Sequence, residues 1–211
     1  MRYSHIIFDW DGTVMDSAAK IVSCMQLAAA DAKLPIPSEN AVKHIIGISL
    51  RPAIAQLFNI PLAQAEQVAE HYKRIFIEKD QTPSPLFEGA IETLSCLQQT
   101  HCLGVATGKA RRGLERAWQH TKSAHFFDAS RCADEAESKP SPDMLLQLLD
   151  TWQVEAKNVL MVGDTVYDMQ MAETIGMPRL AVSYGVHAPD MLKEHAPVAV
   201  IDRFVDITKH V

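Results

Sequence analysis

Cysteine is scarce and scattered. Cys24, Cys96, Cys102 and Cys132 form no Cys-x-x-Cys pair, which argues against a zinc site and a disulfide framework and suits a reducing cytoplasm. Positive charge is in deficit, with 20 Lys and Arg against 26 Asp and Glu and a formal net charge of −6, so no nucleic-acid partner is expected. Long apolar runs are missing. After Arg2 only Ile6-Ile7-Phe8 precede Asp9, far short of a signal peptide's apolar region, and no run approaches membrane-spanning length, so no membrane partner is expected either. There is no internal repeat and no low-complexity tract, and the nine histidines show no His-Glu-x-x-His spacing. What remains is an ordinary globular composition, 47% hydrophobic and 22% charged over 211 residues, enough for one sizeable core with or without a smaller accessory domain.

Short apolar runs recur at intervals too long for hairpins: residues 5–8, 103–106, 159–162, 180–182 and 198–201. They read as buried strands separated by helical patterns, the alternation of a parallel sheet covered on both faces. Ile91, Leu94 and Leu97 mark one helix, and Leu114, Ala117 and Trp118 another. A third is expected to start with Ser141 as N-cap and Pro142 at the first helical position, carrying Leu145, Leu148 and Leu149. A fourth spans about 165–175 and stops at Gly176, suited to a left-handed cap.

Residues 17–82 break this rhythm, with helical patterns in succession and no convincing strand. Ile21, Met25 and Ala28 line one helix, Ser38 caps a second carrying Val42, Ile45 and Ile46, Ile54, Leu57 and Phe58 lie on a third, and Val68, Tyr72, Ile75 and Phe76 on a fourth. The predicted organisation is a discontinuous α/β core, residues 1–16 and 83–211, with a Rossmann-like three-layer parallel sheet, and a small all-α cap over 17–82 inserted after the first strand. The two crossings form a candidate hinge.

Asp9-Trp10-Asp11-Gly12-Thr13 follows the first strand directly, which places two carboxylates at the C-terminal edge of the sheet, where open α/β folds bind ligands. An acidic strand-to-loop turn is the plain alternative. Gly163-Asp164-Thr165-Val166-Tyr167-Asp168 follows another apolar strand and opens a helix, so Asp164 points to the same edge. Carboxylates converging there would repel one another unless a hard cation intervened, and Mg²⁺ is the natural choice. Asp168, one turn on, either faces that ion or a bound water, or complements the helix terminus. Thr107-Gly108-Lys109 follows the strand at 103–106 and opens a helix, offering a hydroxyl and backbone N–H groups to an anion, although Thr107 would equally serve as an N-cap. Lys139, in the rigid turn Ser138-Lys139-Pro140-Ser141-Pro142, can present a fixed positive charge to a phosphate.

Taken in order, Asp9-x-Asp11-Gly12-Thr13, Thr107, Lys139-Pro140 and Gly163-Asp164-x-x-x-Asp168 resemble the four motifs of the haloacid dehalogenase-like hydrolase superfamily. The insertion after Asp16-Ser17 resembles the helical cap of its phosphoglycolate phosphatase and β-phosphoglucomutase branch. The resemblance implies a phosphoric monoester hydrolase acting on a small phosphorylated metabolite, phosphoglycolate-like or a sugar phosphate. Asp9 would be the nucleophile forming an aspartyl-phosphate, and Asp11 the acid and then the base. Asp9, the backbone carbonyl of Asp11 and Asp164 would hold Mg²⁺, with Asp168 assisting, while Thr107, Gly108 and Lys139 would bind the phosphoryl oxygens. The acid at Asp11 disfavours the dehalogenase and phosphonate-cleaving branches. A phosphomutase, or a catalytically silent binding protein with the same fold, remains as the alternative.

Among the other candidates, Arg51, between two cap helices beside Gly47 and Ser49, is placed to bind a substrate carboxylate or second phosphate, or else is a solvated arginine. His187 reads as a loop histidine near the pocket. Trp10 and Met161, Met169, Met171 and Met177 read as core. Phe87-Glu88-Gly89 departs from the family's usual Pro-Gly at the cap's exit. Nothing in the sequence specifies an oligomeric state.

Overall fold

The structure, a computed structural model that describes residues 2–211, joins the apolar runs into one parallel six-stranded sheet. β1 (His5–Phe8), β2 (Cys102–Ala106), β3 (Ala129–Arg131), β4 (Val159–Gly163), β5 (Arg179–Val182) and β6 (Val200–Ile201) lie in the order β3-β2-β1-β4-β5-β6. Phe8 pairs in register with Val105 on one side and Val162 on the other, so β1, β2 and β4 end level. The strand expected at 198–201 keeps only its last two residues. β3 has no counterpart in the sequence reading, because Ala129-Ser130-Arg131 is a half-buried edge segment and carries no apolar run.

Between β1 and β2 the chain makes α1 (Ala18–Asp31), α2 (Glu39–Ile45), α3 (Leu50–Phe58) and α4 (Leu62–Arg74), the last continuing as a π-helical turn over Ile75–Lys79. Met25, Ala28, Val42, Ile45, Ile54, Val68 and Ile75 point inward and form an apolar cluster of their own. Ser38 caps α2 as expected, accepting a hydrogen bond from the Ala41 amide at 3.2 Å. The chain leaves and returns side by side: the Asp16 amide donates to the Pro85 carbonyl at 2.8 Å and the Phe87 amide to the Val14 carbonyl at 3.0 Å.

Asp80 ties this return to α1. Its carboxylate accepts from Ser23 Oγ at 2.5 Å and from the Thr82 amide at 2.9 Å, with Lys20 Nζ 3.5 Å away. Burial alone would raise its pKa, but the Ser23 and Thr82 hydrogen bonds and the Lys20 charge together hold it below 3.8. Asp80→Ala is expected to cost about 1–2 kcal/mol at neutral pH. A depressed carboxylate contributes its stability above the unfolded value of 3.8 and loses it as pH falls through the lower native value. The gap between the denaturant midpoints of the two proteins should therefore hold from neutral pH down to about pH 4 and narrow as pH falls further, whereas a gap that stays constant in acid would assign the effect to packing.

Side-chain alternation sorts the two faces of the sheet. Ile6, Phe8, Leu103, Val105, Leu160 and Val162 pack with Leu94 and Leu97 of α5 (Ala90–Leu97) and Leu114 of α6 (Arg111–Thr121). Ile7, Val159 and Met161 pack on the other face with Leu145 and Leu148 of α7 (Asp143–Trp152) and Met171 of α8 (Val166–Thr174). α9 (Pro189–Lys193) covers β5 and β6 through Leu192. Each aliphatic side chain so buried contributes about 1.5–3 kcal/mol. Trp10 is fully buried edge-to-face against Trp118, and Met161, Met169, Met171 and Met177 are core residues, as expected.

α7 starts later than its sequence suggests. A turn closed by the Ser141 amide donating to the Ser138 carbonyl at 3.0 Å keeps Ser141 outside the helix, Pro142 takes the cap position, and the Ser141 hydroxyl accepts from the Asp143 amide at 3.3 Å. Gly176 ends α8 with φ +64° as expected. No helix among the described residues is long and apolar enough to cross a membrane.

Candidate active site

Because β1, β2 and β4 end level, the residues just beyond them meet at one edge: Asp9, Thr107 and Asp164. The Asp9 amide donates to the Val162 carbonyl at 2.9 Å and so continues the β1 ladder by one residue. Asp9, Asp164 and Asp168 are all buried, and each offers an oxygen within 4.8 Å of the others.

Each carboxylate has a different partner. Asp164 accepts from Thr13 Oγ1 at 2.8 Å and from the Val186 amide at 2.9 Å. A Cβ at Gly12, where φ is +86°, or at Gly185 would overlap its carboxylate, so two glycines make room for it. Asp168 completes a capping box at the start of α8, accepting from the Thr165 amide at 3.1 Å and Thr165 Oγ1 at 2.7 Å, while its second oxygen takes a 2.6 Å hydrogen bond from Lys139 Nζ. Of the two readings of Asp168, the structure shows the one at the helix terminus, and it also places the residue in the acidic group. Lys139 Nζ also lies 2.7 Å from Asp9 Oδ1, but neither Asp9 oxygen accepts a well-aligned hydrogen bond.

Burial pushes the Asp9 carboxyl well above its usual value, and the Asp168 and Asp164 charges raise it further against the opposing pull of Lys139. Burial, then Asp168, raise Asp164 to about 7. Burial alone would lower Lys139, but the Asp168 and Asp9 carboxylates overcome it and hold the ammonium above its usual range. Three buried carboxylates against one ammonium leave an excess of negative charge that only proton uptake or a cation can relieve. The donors are all hard oxygens, and among the described residues Asp9 Oδ1 has only the Lys139 ammonium beside it and Oδ2 no partner. Such a set suits a hard divalent cation such as Mg²⁺ and does not suit a soft one.

Asp11 stands apart from this group. Its carboxylate accepts from Ser17 Oγ at 2.6 Å and pairs with Lys109 Nζ at 2.9 Å. Lys109 also lies over the Phe76 ring at 5.3 Å, so one ammonium touches both the sheet edge and the helical insertion. Neither Ser17 nor Lys109 figures among the residues singled out from the sequence. The signal for Lys109 was its place directly after Thr107-Gly108, where any long cation reaches the same edge.

Two expectations are corrected. Thr107 does not open a helix, since residues 107–110 form a loop and α6 begins at Arg111. The buried Thr107 hydroxyl accepts from the Lys109 amide at 3.1 Å and shapes that loop. Gly108 faces the insertion, where a Cβ would overlap the Gly47 and Ile48 carbonyl oxygens. Arg51 does not reach the site. It is 54% exposed and pairs with Glu66 Oε2 at 2.6 Å, because α3 turns Ala53 and Ile54 inward and leaves Arg51 facing α4. His187 is a packing residue: its ring stacks on His44 at 5.4 Å and Nδ1 accepts from the Val166 amide at 3.1 Å. The Tyr167 hydroxyl donates to the His44 carbonyl at 2.9 Å, and the Ser49 amide donates to Ser138 Oγ at 3.0 Å, so residues 44–49 rest on the sheet edge.

A cavity of about 530 Å³ lies between the insertion and this edge, reaching Asp9, Asp11, Thr107, Gly108 and Lys109 at its floor.

Comparison with known proteins gives concordant results. The model of the haloacid dehalogenase-like hydrolases matches residues 6–182. The chain is 32% identical over 208 residues to a protein described as a probable phosphatase, IndB, of Dickeya dadantii, covering 96% of this chain and 90% of that one. It is 30% identical over 217 residues to the N-acetylmuramic acid 6-phosphate phosphatase of Pseudomonas putida, covering 99% and 96%. In fold it resembles the crystal structure of a hydrolase from Pseudomonas syringae, with a TM-score of 0.87 at 22% identity over 99% of this chain and 97% of the other.

Proposed function

The chain belongs to the haloacid dehalogenase-like hydrolases, in the phosphoglycolate-phosphatase-like branch, and from that premise we propose that it is a Mg²⁺-dependent phosphatase of a small phosphorylated metabolite. The observation that carries the reading is the Asp9 carboxylate, buried at the floor of a cavity with the Lys139 ammonium as its one close counter-charge among the described residues and within 4.8 Å of Asp164 and Asp168.

Asp9 attacks phosphorus, forming an Asp9–phosphorus bond as the ester P–O bond breaks. Asp11, positioned by Ser17 and Lys109, must first take up a proton in the substrate complex and then hands that proton to the departing alkoxide. It then takes a proton from water as that water attacks the aspartyl-phosphate, which releases inorganic phosphate and restores Asp9. Thr107, the Gly108 amide and Lys139 bind the phosphoryl oxygens and stabilise the charge that develops on them. Asp9, Asp164 and the backbone carbonyl of Asp11 are the residues that would hold Mg²⁺, which when bound offsets the repulsion between carboxylate and phosphate dianion. Asp168, with both oxygens engaged, acts chiefly by fixing Lys139. Residues 17–82 serve as the cap that shields the reaction from bulk water.

The test is release of inorganic phosphate from p-nitrophenyl phosphate, expected to need Mg²⁺ and to stop with a chelator. Binding should also be visible without turnover, because an ion at 100 times its Kd adds about 2.7 kcal/mol of stability and raises Tm. Isomerisation of a sugar phosphate without phosphate release would make the protein a phosphomutase. Silence with every ester would leave a binding protein.

A further inference from the structure

The cavity has two unlike ends. At its floor are Asp9, Asp11, Thr107 and Gly108, which act on the phosphate ester in the reaction proposed above, with Lys109 paired to Asp11 beside them. Of the residues that the insertion contributes, only Tyr72 and Lys73 carry polar side-chain atoms, among the described residues. Lys73 is already paired with Glu70 at 2.7 Å and is exposed. Burial, reinforced by the nearby Cys24 and Asp11, raises the Tyr72 phenol well above its usual pKa, so it stays neutral, and its ring lies 5.7 Å from that of Phe76. The rest of the wall is hydrocarbon, with Ile45, Ile46, Ile48 and Leu50 facing the space above the phosphoryl site.

A leaving group packed against the insertion meets the Tyr72 hydroxyl, the Gly47 and Ile48 backbone carbonyls and otherwise hydrocarbon side chains, while the polar side chains that line the cavity from outside the insertion are those of the floor and of Arg112, Arg116 and Asp134. A polyol or hydroxy acid would strip its hydroxyl groups of water there and regain few partners, which costs affinity at every unpaired group. An apolar group would gain by the transfer. The volume of about 530 Å³ lies in the range of about 300–1,000 Å³ typical of pockets that enclose drug-sized ligands, and a two-carbon acid would leave most of it unfilled. Arg112 and Arg116, exposed on α6 at the cavity's lining, supply positive charge that favours the approach of a phosphate dianion without adding polarity to the helical wall.

We infer that the substrate is a phosphate monoester with an apolar leaving group, an arylalkyl, aryl or branched alkyl alcohol that packs against Ile48, Leu50, Tyr72 and Phe76. This rests on the phosphatase reading and narrows it away from phosphoglycolate and sugar phosphates. It requires no further chemistry, because the same P–O bond breaks and only the alcohol released differs.

The experiment compares kcat/KM of the full chain with Mg²⁺ for ethyl, butyl and 2-phenylethyl phosphate, whose leaving alcohols are similar in acidity, and for glycerol 3-phosphate, glucose 6-phosphate and phosphoglycolate. The expected result is a rise of about three- to fivefold per added methylene, the worth of burying one such group, with 2-phenylethyl phosphate ahead of all three polar esters. Phe76→Ala should shrink the ratio of 2-phenylethyl to ethyl phosphate about tenfold or more, and Leu50→Asn should lower the same ratio if the first variant does not fold. A flat alkyl series, or any polar ester ahead of 2-phenylethyl phosphate, overturns the inference and leaves the phosphatase standing. If no ester releases phosphate, the phosphatase reading fails and takes this one with it.

Discussion

Asp9→Asn is expected to lower kcat for phosphate release by at least about 10⁴-fold, in line with the loss of a sole covalent nucleophile in other hydrolases. The exchange keeps the side chain's volume, removes its charge and turns one acceptor oxygen into an NH2 donor, leaving the other oxygen for Lys139. In the native state that charge is unfavourable: burial opposes it, and although Lys139 favours it, Asp168 and Asp164 add to the opposition and the carboxyl stays well above its usual value. The neutral amide should therefore leave Tm in metal-free buffer equal or higher, while turnover vanishes. Steady-state phosphate release and thermal unfolding on the same preparation check both halves. A variant with reduced Tm and proportionate loss of activity would place Asp9 in the scaffold, and one with normal Mg²⁺-dependent turnover would remove it from the reaction.

Lys139→Met should be damaging in both respects. Lys139 is completely buried, 2.7 Å from Asp9 and 2.6 Å from Asp168, and its charge is the nearest compensation for the acidic group. Removing one partner from such a buried set costs about 3–5 kcal/mol, because the remaining charges are left uncompensated. Phosphoryl oxygens also lose a charged donor, for which a decrease of about 10²–10³-fold in kcat is expected. Lys139→Arg should rescue little, since a planar, branched guanidinium cannot occupy the space of a point ammonium between two carboxylates. Urea unfolding gives the first quantity and single-turnover kinetics the second. A Lys139→Met protein with unchanged urea midpoint would mean that the surrounding carboxylates take up protons in its place.

Those two residues illustrate how far the residue pattern reaches. Asp9 and Asp164 were legible because each directly follows a short apolar run, and parallel strands that end level bring such positions together. Lys139 was legible only in the company of the other motifs, since nothing around it in the chain announces that its ammonium is buried between Asp9 and Asp168. Arg51 shows the opposite failure. Its type and its place between two helices suited an anion, but the rotation of α3 about its axis turns it toward Glu66. That rotation depends on which of its apolar residues finds the deeper cavity in the neighbouring helices, and this is settled by packing across distant segments. β3 was illegible for a related reason, because an edge strand needs only a partner with free backbone groups and no apolar run of its own.

By itself the chain's order of residues determined the alternation of strands and helices, the helical insertion after β1 and the acids that follow β1 and β4. These depend on local periodicity and on what stands next to what. Only the tertiary structure decided that Lys109 touches Asp11, that Asp168 engages its oxygens with Lys139 and Thr165, that Arg51 turns away, and that the insertion faces the cavity above the acids mostly with hydrocarbon side chains. Each of these joins residues far apart in the chain or depends on which way a side chain turns. Such contacts follow from the simultaneous packing of the insertion and the sheet, which no local pattern encodes.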